Sequence, residues 1–224
     1  MIDLKQFKGF AVQQNDSSRE ALKLYELCTR NNIEHKVIKN KNKCPDEFVP
    51  CGSVEWCEQS LGCIIKPNYY PGWTKDIWHR NIWYNNKWEL RRVFVKPANR
   101  HKRFTGFITT GTYKGKKKGS LVYSDIVQFV DEWRYYISFG KVLTSAWYWG
   151  QHEDRVCPDL DNIIKVPDSY SGALDIGLLS TGEYALVESN SPFACGHYSE
   201  NHEAYFQWLI DGWDYMIKNY KNKE

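Results

Sequence analysis

Several features that would assign a chain of 224 residues at a glance are missing here. No apolar run approaches the ~20 residues that a membrane-spanning helix needs. The opening M-I-D-L-K-Q-F-K-G-F has no apolar h-region, so the expectation is a cytoplasmic protein rather than a secreted one. Seven cysteines, with Cys44, Cys51, Cys57 and Cys63 closest together, never form C-x-x-C. That spacing supports neither a zinc site nor a redox pair, and an odd number does not complete a disulfide framework. Free, mostly buried thiols in a reducing compartment are expected. Charge of one sign is lacking too: 30 basic against 27 acidic residues leave a net +3, which does not by itself call for nucleic acid. There are no internal repeats, and no low-complexity segment beyond Lys116-Lys117-Lys118.

What the chain does have is aromatics, 16% of residues with 10 Trp and 15 Tyr, within a hydrophobic content of 42% that suffices for a core. Rings in such number pack cores and walls, the favoured reading, or stack on bases. The wealth of Lys, Asn, Tyr and Ile would suit an AT-rich genome, bacterial or phage. The length fits one large domain or two small ones.

Phe10-Ala11-Val12 reads as a strand. Asp16-Ser17-Ser18 offers an N-cap, and Ala21, Leu22, Tyr25 and Leu27-Cys28 form a helical stripe ended by Asn31-Asn32. His35–Ile38 then completes a βαβ-like unit. Pro50-Cys51-Gly52-Ser53 reads as a turn with Ser53 capping a helix Val54–Leu61, and Cys63–Ile65 as a strand stopped by Pro67. The stretch 67–86 looks like a long, ordered, aromatic loop. Strands follow at Arg92–Lys96, Phe104–Tyr113 and Ser120–Tyr123, with a basic hairpin tip at Gly115–Gly119. Further strands run over Asp125–Val130, Arg134–Phe139 and, past a Gly140-Lys141 turn, Val142–Trp149. A mixed stretch, Asp154–Asp168, precedes the last hairpin, and a helix His202–Tyr220 ends the chain.

The last hairpin, D-I-G-L-L-S-T-G-E-Y-A-L-V-E-S-N, carries the strongest chemical signal. If its turn centres between Thr181 and Gly182, Asp175 falls directly opposite Glu188, with Cβ atoms about 5 Å apart. Asn190, two residues on, shares that face. Like charges directly opposite are destabilising, and a bound cation removes the penalty. Three hard oxygen donors suit Mg²⁺ or Mn²⁺.

Other segments are ambiguous alone. Lys96 leaves the apolar run V-F-V-K-P and either offers an ammonium to phosphate or snorkels. Lys102-Arg103-Phe104-Thr105-Gly106 is either a phosphate-closing loop or a basic surface turn. Gln128-Phe129-Val130-Asp131-Glu132 could present backbone groups to a purine edge, with Glu132 on ribose hydroxyls. Arg134 either neutralises a transferring phosphoryl group or makes a cross-strand ion pair. His197 and His202 follow the Pro192–Gly196 turn; surface or capping roles are favoured for both over lining a pocket.

Taken in order, these pieces resemble the ATP-grasp superfamily. The match is closer to a small clade, largely of bacteria and their phages, with G-S-V-E (from Gly52), K-P…K-x-F-T-G (Lys96-Pro97, Lys102–Gly106), an E-W-R element (Glu132–Arg134) and D-x-G…E-x-N. The resemblance covers roughly residues 45–200. It implies an α+β chain whose two lobes grip ATP. Residues 65–224 would form that domain, with a small lobe about 90–130 and a large lobe about 131–224, behind a Rossmann-like pre-domain at 1–64. It further implies Mg²⁺ (or Mn²⁺) on Asp175, Glu188 and Asn190. ATP would be bound by Lys96, Lys102, Thr105, Gly106, Gln128, Phe129, Val130 and Glu132.

The implied reaction activates a carboxylate with ATP as an acyl phosphate, for attack by an amine or other nucleophile. Both substrates would be small molecules or peptides, with no membrane partner. The chain lacks an arginine just before Asp175, where Ser171-Gly172-Ala173 stands. Arg134 or Arg80 would then supply the catalytic cation beside Lys102. A rival reading is a single-stranded nucleic-acid-binding module using Arg91-Arg92, Arg100–Arg103, Lys114–Lys118 and exposed rings.

Overall fold

β1 (Gly9–Gln13) is apolar along almost its whole length because it becomes the centre of a parallel sheet. It lies between β2 (Glu34–Ile38) and β3 (Phe48–Cys51), both parallel to it. The crossover helix α1 (Arg19–Asn31) buries Ala21, Leu24, Leu27 and Cys28; of the expected stripe, Leu22 is exposed and Tyr25 half-buried, and Leu24 takes the inward place. The computed structural model describes residues 2–14, 19–101, 103–110, 119–151 and 156–221, so the N-cap expected at Asp16–Ser18 lies outside the described residues. Pro50 stands inside β3 rather than in a turn; as an edge strand, β3 tolerates its missing N–H. α2 (Val54–Leu61) begins where expected, with Ser53 Oγ accepting from the Trp56 amide at 3.3 Å, and ends at Gly62 with φ 87°. The strand expected at Cys63–Ile65 does not form. The buried Glu58 carboxylate accepts the Ile65 amide at 3.0 Å, where a ladder partner would have stood.

Two antiparallel four-stranded sheets follow. The smaller is ordered β4 (Ile82–Asn85), β7 (Leu121–Ser124), β5 (Phe94–Pro97), β6 (Phe107–Ile108). Residues 67–86 are thus not one loop: a 3₁₀ turn at Gly72–Ile77 leads into β4. Within the expected strand Phe104–Tyr113, the described pairing is confined to Phe107–Ile108, and the basic tip at Lys116–Lys118 lies outside the described residues. The larger sheet is ordered β11 (Tyr184–Asn190), β10 (Gly172–Leu179), β8 (Phe129–Ser138), β9 (Lys141–Gly150). β8 and β9 join through Phe139 and Gly140, at φ 47° and 77°, the two positive values a tight hairpin turn needs.

Among the described residues the core falls into three buried clusters. One buried cluster joins the parallel sheet and α1 to Tyr136, Ala173 and the terminal helix α3 (His202–Met216). A second joins Tyr69, Tyr70 and Ile77 to β8 and β10, and a third fills the smaller sheet. The aromatics therefore mostly pack: Trp56, Trp208, Tyr123, Tyr135, Tyr136 and Tyr205 are among the largest fully buried side chains. All seven cysteines are free thiols. No described helix is long and apolar enough to cross a membrane.

α3 also braces the turn that follows Asn190. A Cβ at Gly212 would stand 2.3 Å from the Pro192 carbonyl oxygen. Alanine improves helix propensity by about 1 kcal/mol, whereas overpacking against backbone costs about 1–3 kcal/mol. Gly212→Ala should therefore destabilise in urea titration; a stabilised variant would show that this contact is not tight.

Candidate functional site

The site is built on the hairpin of β10 and β11, whose register is not uniform. Near the turn, Leu178 pairs with Tyr184 and Ile176 with Leu186, so partner numbers sum to 362. Beyond a bulge they sum to 363, and Asp175 pairs with Glu188, Leu174 with Ser189 and Ala173 with Asn190. Val187 is the extra residue. Expected and observed pairing agree at Asp175, but the turn centres on Thr181, half a residue early, and the bulge makes up the difference.

Two carboxylates thus face one another, and each already has a cation. Asp175, fully buried, accepts from Arg134 Nε and Nη2 at 2.7 Å each; the two residues are also direct partners across β10 and β8. Glu188 Oε2 is paired with Lys96 Nζ, while its Oε1 accepts from Asn190 Nδ2 at 3.1 Å. Burial pushes the Glu188 carboxyl up, but the Lys96 ammonium and the hydrogen bonds from Lys96 and Asn190 outweigh that and hold it below the usual carboxylate range. Burial likewise pushes Asp175 up, opposed by the charge and hydrogen bonds of Arg134, whose guanidinium stays charged. Arg134 therefore makes the cross-strand ion pair. Its guanidinium lies 5.5 and 5.1 Å from the rings of Tyr148 and Tyr198, which stack on one another.

Next to these ions a cavity of about 220 Å³ opens between the two antiparallel sheets. Phe94, Lys96, Ile108 and Ser124 line it from the smaller sheet, and Phe129, Glu132 and Val187 from the larger. The connection Asp125–Val127 closes one end, and Tyr70 with Arg80 one side. The pocket lies at or below the small end of ligand sites. Of the predicted linker residues, Phe129 and Glu132 are walls. Gln128 and Val130 are not among the lining residues, and the Gln128 carbonyl accepts from the Ser180 amide at 2.9 Å. Glu132 Oε2 accepts from the Tyr148 hydroxyl, and burial pushes its carboxyl above the usual range.

The loop after Lys96 comes back against it. Thr105 is exposed, and Gly106 sits so close that a Cβ would meet Phe94 Cζ at 2.6 Å and Lys96 Cγ at 2.9 Å. Lys102 lies outside the described residues. In the same loop, buried His101 contacts Ser191 Oγ at 3.3 Å and packs on Tyr69 and Phe193, tying the loop to the turn after Asn190. His197 is not on the surface but buried, stacked 4.0 Å from the Tyr205 ring; His202 opens α3, which Asn201 caps. Sequence reasoning missed Tyr148, Tyr198, Tyr70 and Val187. For Tyr148 and Val187 the signal, a ring or branched residue on a strand, is indistinguishable from core packing until the register is known, and Tyr70 and Tyr198 lie in irregular segments with no period to read.

The donor set suits a hard divalent cation. Glu188 and Asn190 are neighbours on one face, and Asp175 keeps a second lone pair on each oxygen beyond those that Arg134 occupies. Among the described residues no cluster of three His, Cys, Asp or Glu side chains could hold a metal; the third donor here is the Asn190 amide oxygen.

A family model for the ATP-grasp domain, the second family of its clade, matches residues 73–208. No curated protein matches the chain in sequence. Solved structures with this fold include a RimK domain ATP-grasp protein from Sphaerobacter thermophilus, at 9% identity and TM-score 0.52, with 94% of this chain and 98% of that one covered. D-cycloserine synthetase matches at 12% identity and TM-score 0.52, with 91% and 99% covered. D-alanine–D-alanine ligase from Bacillus anthracis, complexed with ATP, matches at 13% identity and TM-score 0.50, with 97% and 100% covered. At such identities the likeness is one of fold.

Two consequences can be measured. Asp175→Asn leaves the Arg134 charge buried and uncompensated, which should cost about 3–5 kcal/mol. Replacing both residues by apolar ones of similar volume should cost far less, and equal losses would show that the ion pair is not what matters. Glu132, with its raised folded pKa, adds stability below the ordinary carboxylate range, near pH 4.5, that is lost as pH rises through the folded value. Glu132→Gln should therefore melt higher than the parent at pH 7 and alike at pH 4; a lower melting temperature at pH 7 would contradict this.

Proposed function

This chain belongs to the ATP-grasp family, in the clade whose second family model it matches, and from that premise we propose that it is an ATP-dependent ligase joining a carboxylate to an amine or another nucleophile. The observation that carries the proposal is the ion quartet Lys96–Glu188 and Arg134–Asp175 beside a cavity of about 220 Å³ walled by Phe129, Val187 and Glu132. A base fits between Phe129, Ile108 and Val187, and Glu132 offers an acceptor to ribose hydroxyls. Lys96, released from Glu188, reaches phosphate oxygens as a point charge. The Thr105–Gly106 backbone, packed on the Lys96 stem, adds amide donors beside it.

Glu188 and Asn190, with Asp175 as a third donor, would hold Mg²⁺. When bound, Mg²⁺ would supply neutralisation of the charge on the phosphates. Arg134 pairs with Asp175 and fixes its direction, and so stands in for the cation missing at Ser171–Ala173. In the reaction, a carboxylate oxygen of the acid attacks the terminal phosphorus of ATP and ADP leaves. The nucleophile then displaces phosphate from the acyl group. Positioning and charge neutralisation do this work, so no protein nucleophile is required.

Mg²⁺ with ATP at about 100-fold above Kd should stabilise the chain by about 2.7 kcal/mol, or roughly 5–10 °C in Tm. Glu188→Gln should lose the Mg²⁺-dependent part of that shift, and retention of it would remove the metal assignment. Offered ATP, hydroxylamine and a panel of carboxylic acids, the protein should release ADP and form a hydroxamate. AMP release would overturn acyl-phosphate chemistry, and salt-sensitive binding of single-stranded DNA without any ATP effect would favour nucleic-acid binding instead.

A further inference from the structure

A β-bulge leaves one residue of the strand without a ladder partner, and its carbonyl must be satisfied elsewhere. In β11 that residue is Val187. Its carbonyl oxygen accepts from Arg80 Nη2 at 3.2 Å, while Arg80 Nη1 donates to the Trp78 carbonyl at 3.0 Å. The guanidinium is held from its faces as well, 5.5 Å from the Tyr70 ring centre and 5.6 Å from that of Phe129. On the far side of Glu188, the Ser189 amide donates to the Tyr69 carbonyl at 2.8 Å. The segment from Tyr69 to Arg80 therefore grips the outer edge of β11 on both sides of Glu188.

The bulge decides which way Glu188 faces. Were the turn-proximal register to continue, Asp175 would pair with Val187 and Leu174 with Glu188, by the same sum of 362 that Ile176 and Leu186 obey. A slip of one residue sends a side chain to the opposite face. Glu188 would then stand beside Leu174 in the apolar cluster of Ile137, Ile176 and Leu186. With the bulge, two successive side chains serve one face: Val187 walls the cavity and Glu188 meets Lys96.

We propose that Arg80 is a positioning residue, which clamps the Val187 bulge and thereby sets Glu188 opposite Asp175 at the metal and phosphate end of the site. It does so through Val187 and need not touch the transferring phosphoryl group. Arginine suits the task because one rigid fork reaches two carbonyls while its plane stacks on rings; lysine is a point donor and can satisfy only part of this. The geometry stands by itself, and the activity readout rests on the nucleotide reading above.

The test is calorimetric binding of ADP with Mg²⁺ and of ADP in EDTA. Arg80→Ala should weaken Mg²⁺-ADP by about tenfold or more, the scale of losing a buried hydrogen bond. ADP in EDTA should change by less than about threefold. Arg80→Lys should recover only part of the Mg²⁺ enhancement, and it carries the same comparison if the alanine variant does not fold. Deleting Val187 makes β11 regular with Glu188 still opposite Asp175, so in that background Arg80→Ala should cost little of the enhancement.

Equal losses with and without Mg²⁺ would show that Arg80 contacts the nucleotide directly, and an unchanged Mg²⁺-ADP affinity would show no clamp; either overturns the proposal. Should the parent chain bind no Mg²⁺-ADP, the nucleotide reading fails and the clamp is judged by hydrogen exchange. Faster exchange at the Glu188–Asn190 amides in Arg80→Ala supports it, and unchanged exchange overturns it.

Discussion

Two carboxylates set opposite each other on a largely buried sheet face cannot both stay ionised without cations, and the rest of the site is arranged around that constraint. Asp175 and Glu188 are such a pair, and the chain supplies Arg134 from the neighbouring strand and Lys96 from the other sheet. The two cations are not equivalent. Arg134 is 8% exposed, makes two bonds of 2.7 Å and is covered by stacked tyrosines, so it belongs to the permanent frame. Lys96 reaches Glu188 from the opposite wall of the cavity, a contact that opens if the sheets part or if a better anion arrives.

How much of this was legible in the sequence depends on how local the signal was. Helix α2 was readable to the residue because Ser53 caps it and Gly62 ends it, both local devices. The strand expected at Cys63–Ile65 failed because its competitor, the Glu58 carboxylate, acts from within the preceding helix and has no signature in an apolar triplet. β3 was hidden by Pro50, which reads as a turn residue unless the strand is known to lie at an edge. β4 was lost among aromatic residues whose four-residue run is too short to show a period.

The opposition of Asp175 and Glu188 was legible for an instructive reason. A uniform hairpin centred between Thr181 and Gly182 yields the correct pair, yet the real turn centres half a residue earlier and a bulge at Val187 restores the count. Side-chain alternation reveals which residues share a face only where the ladder is regular. Bulges are set by contacts far away in sequence, here a guanidinium 107 residues distant from Val187. The ion pair of Arg134 could be named as an alternative from sequence, but choosing it required the register of β8 against β10.

The frame is also balanced in charge. Each carboxylate is balanced by one cation, so the folded chain carries no unpaired charge in the quartet. On the proposed reading, a metal–triphosphate would bring both signs at once: oxygens for Lys96 and a cation for Glu188 and Asn190. Neither partner is then left buried and alone, the situation that makes breaking an ion pair costly. Arg134 and Asp175 would not need to separate in such an exchange, since their pairing ties β10 to β8. A ligand of one sign only, phosphate or metal alone, satisfies one half of the Lys96–Glu188 pair and strands the other. On the proposed reading the arrangement would select for the two together, and that selectivity would follow from the placement of four side chains rather than from the affinity of any one.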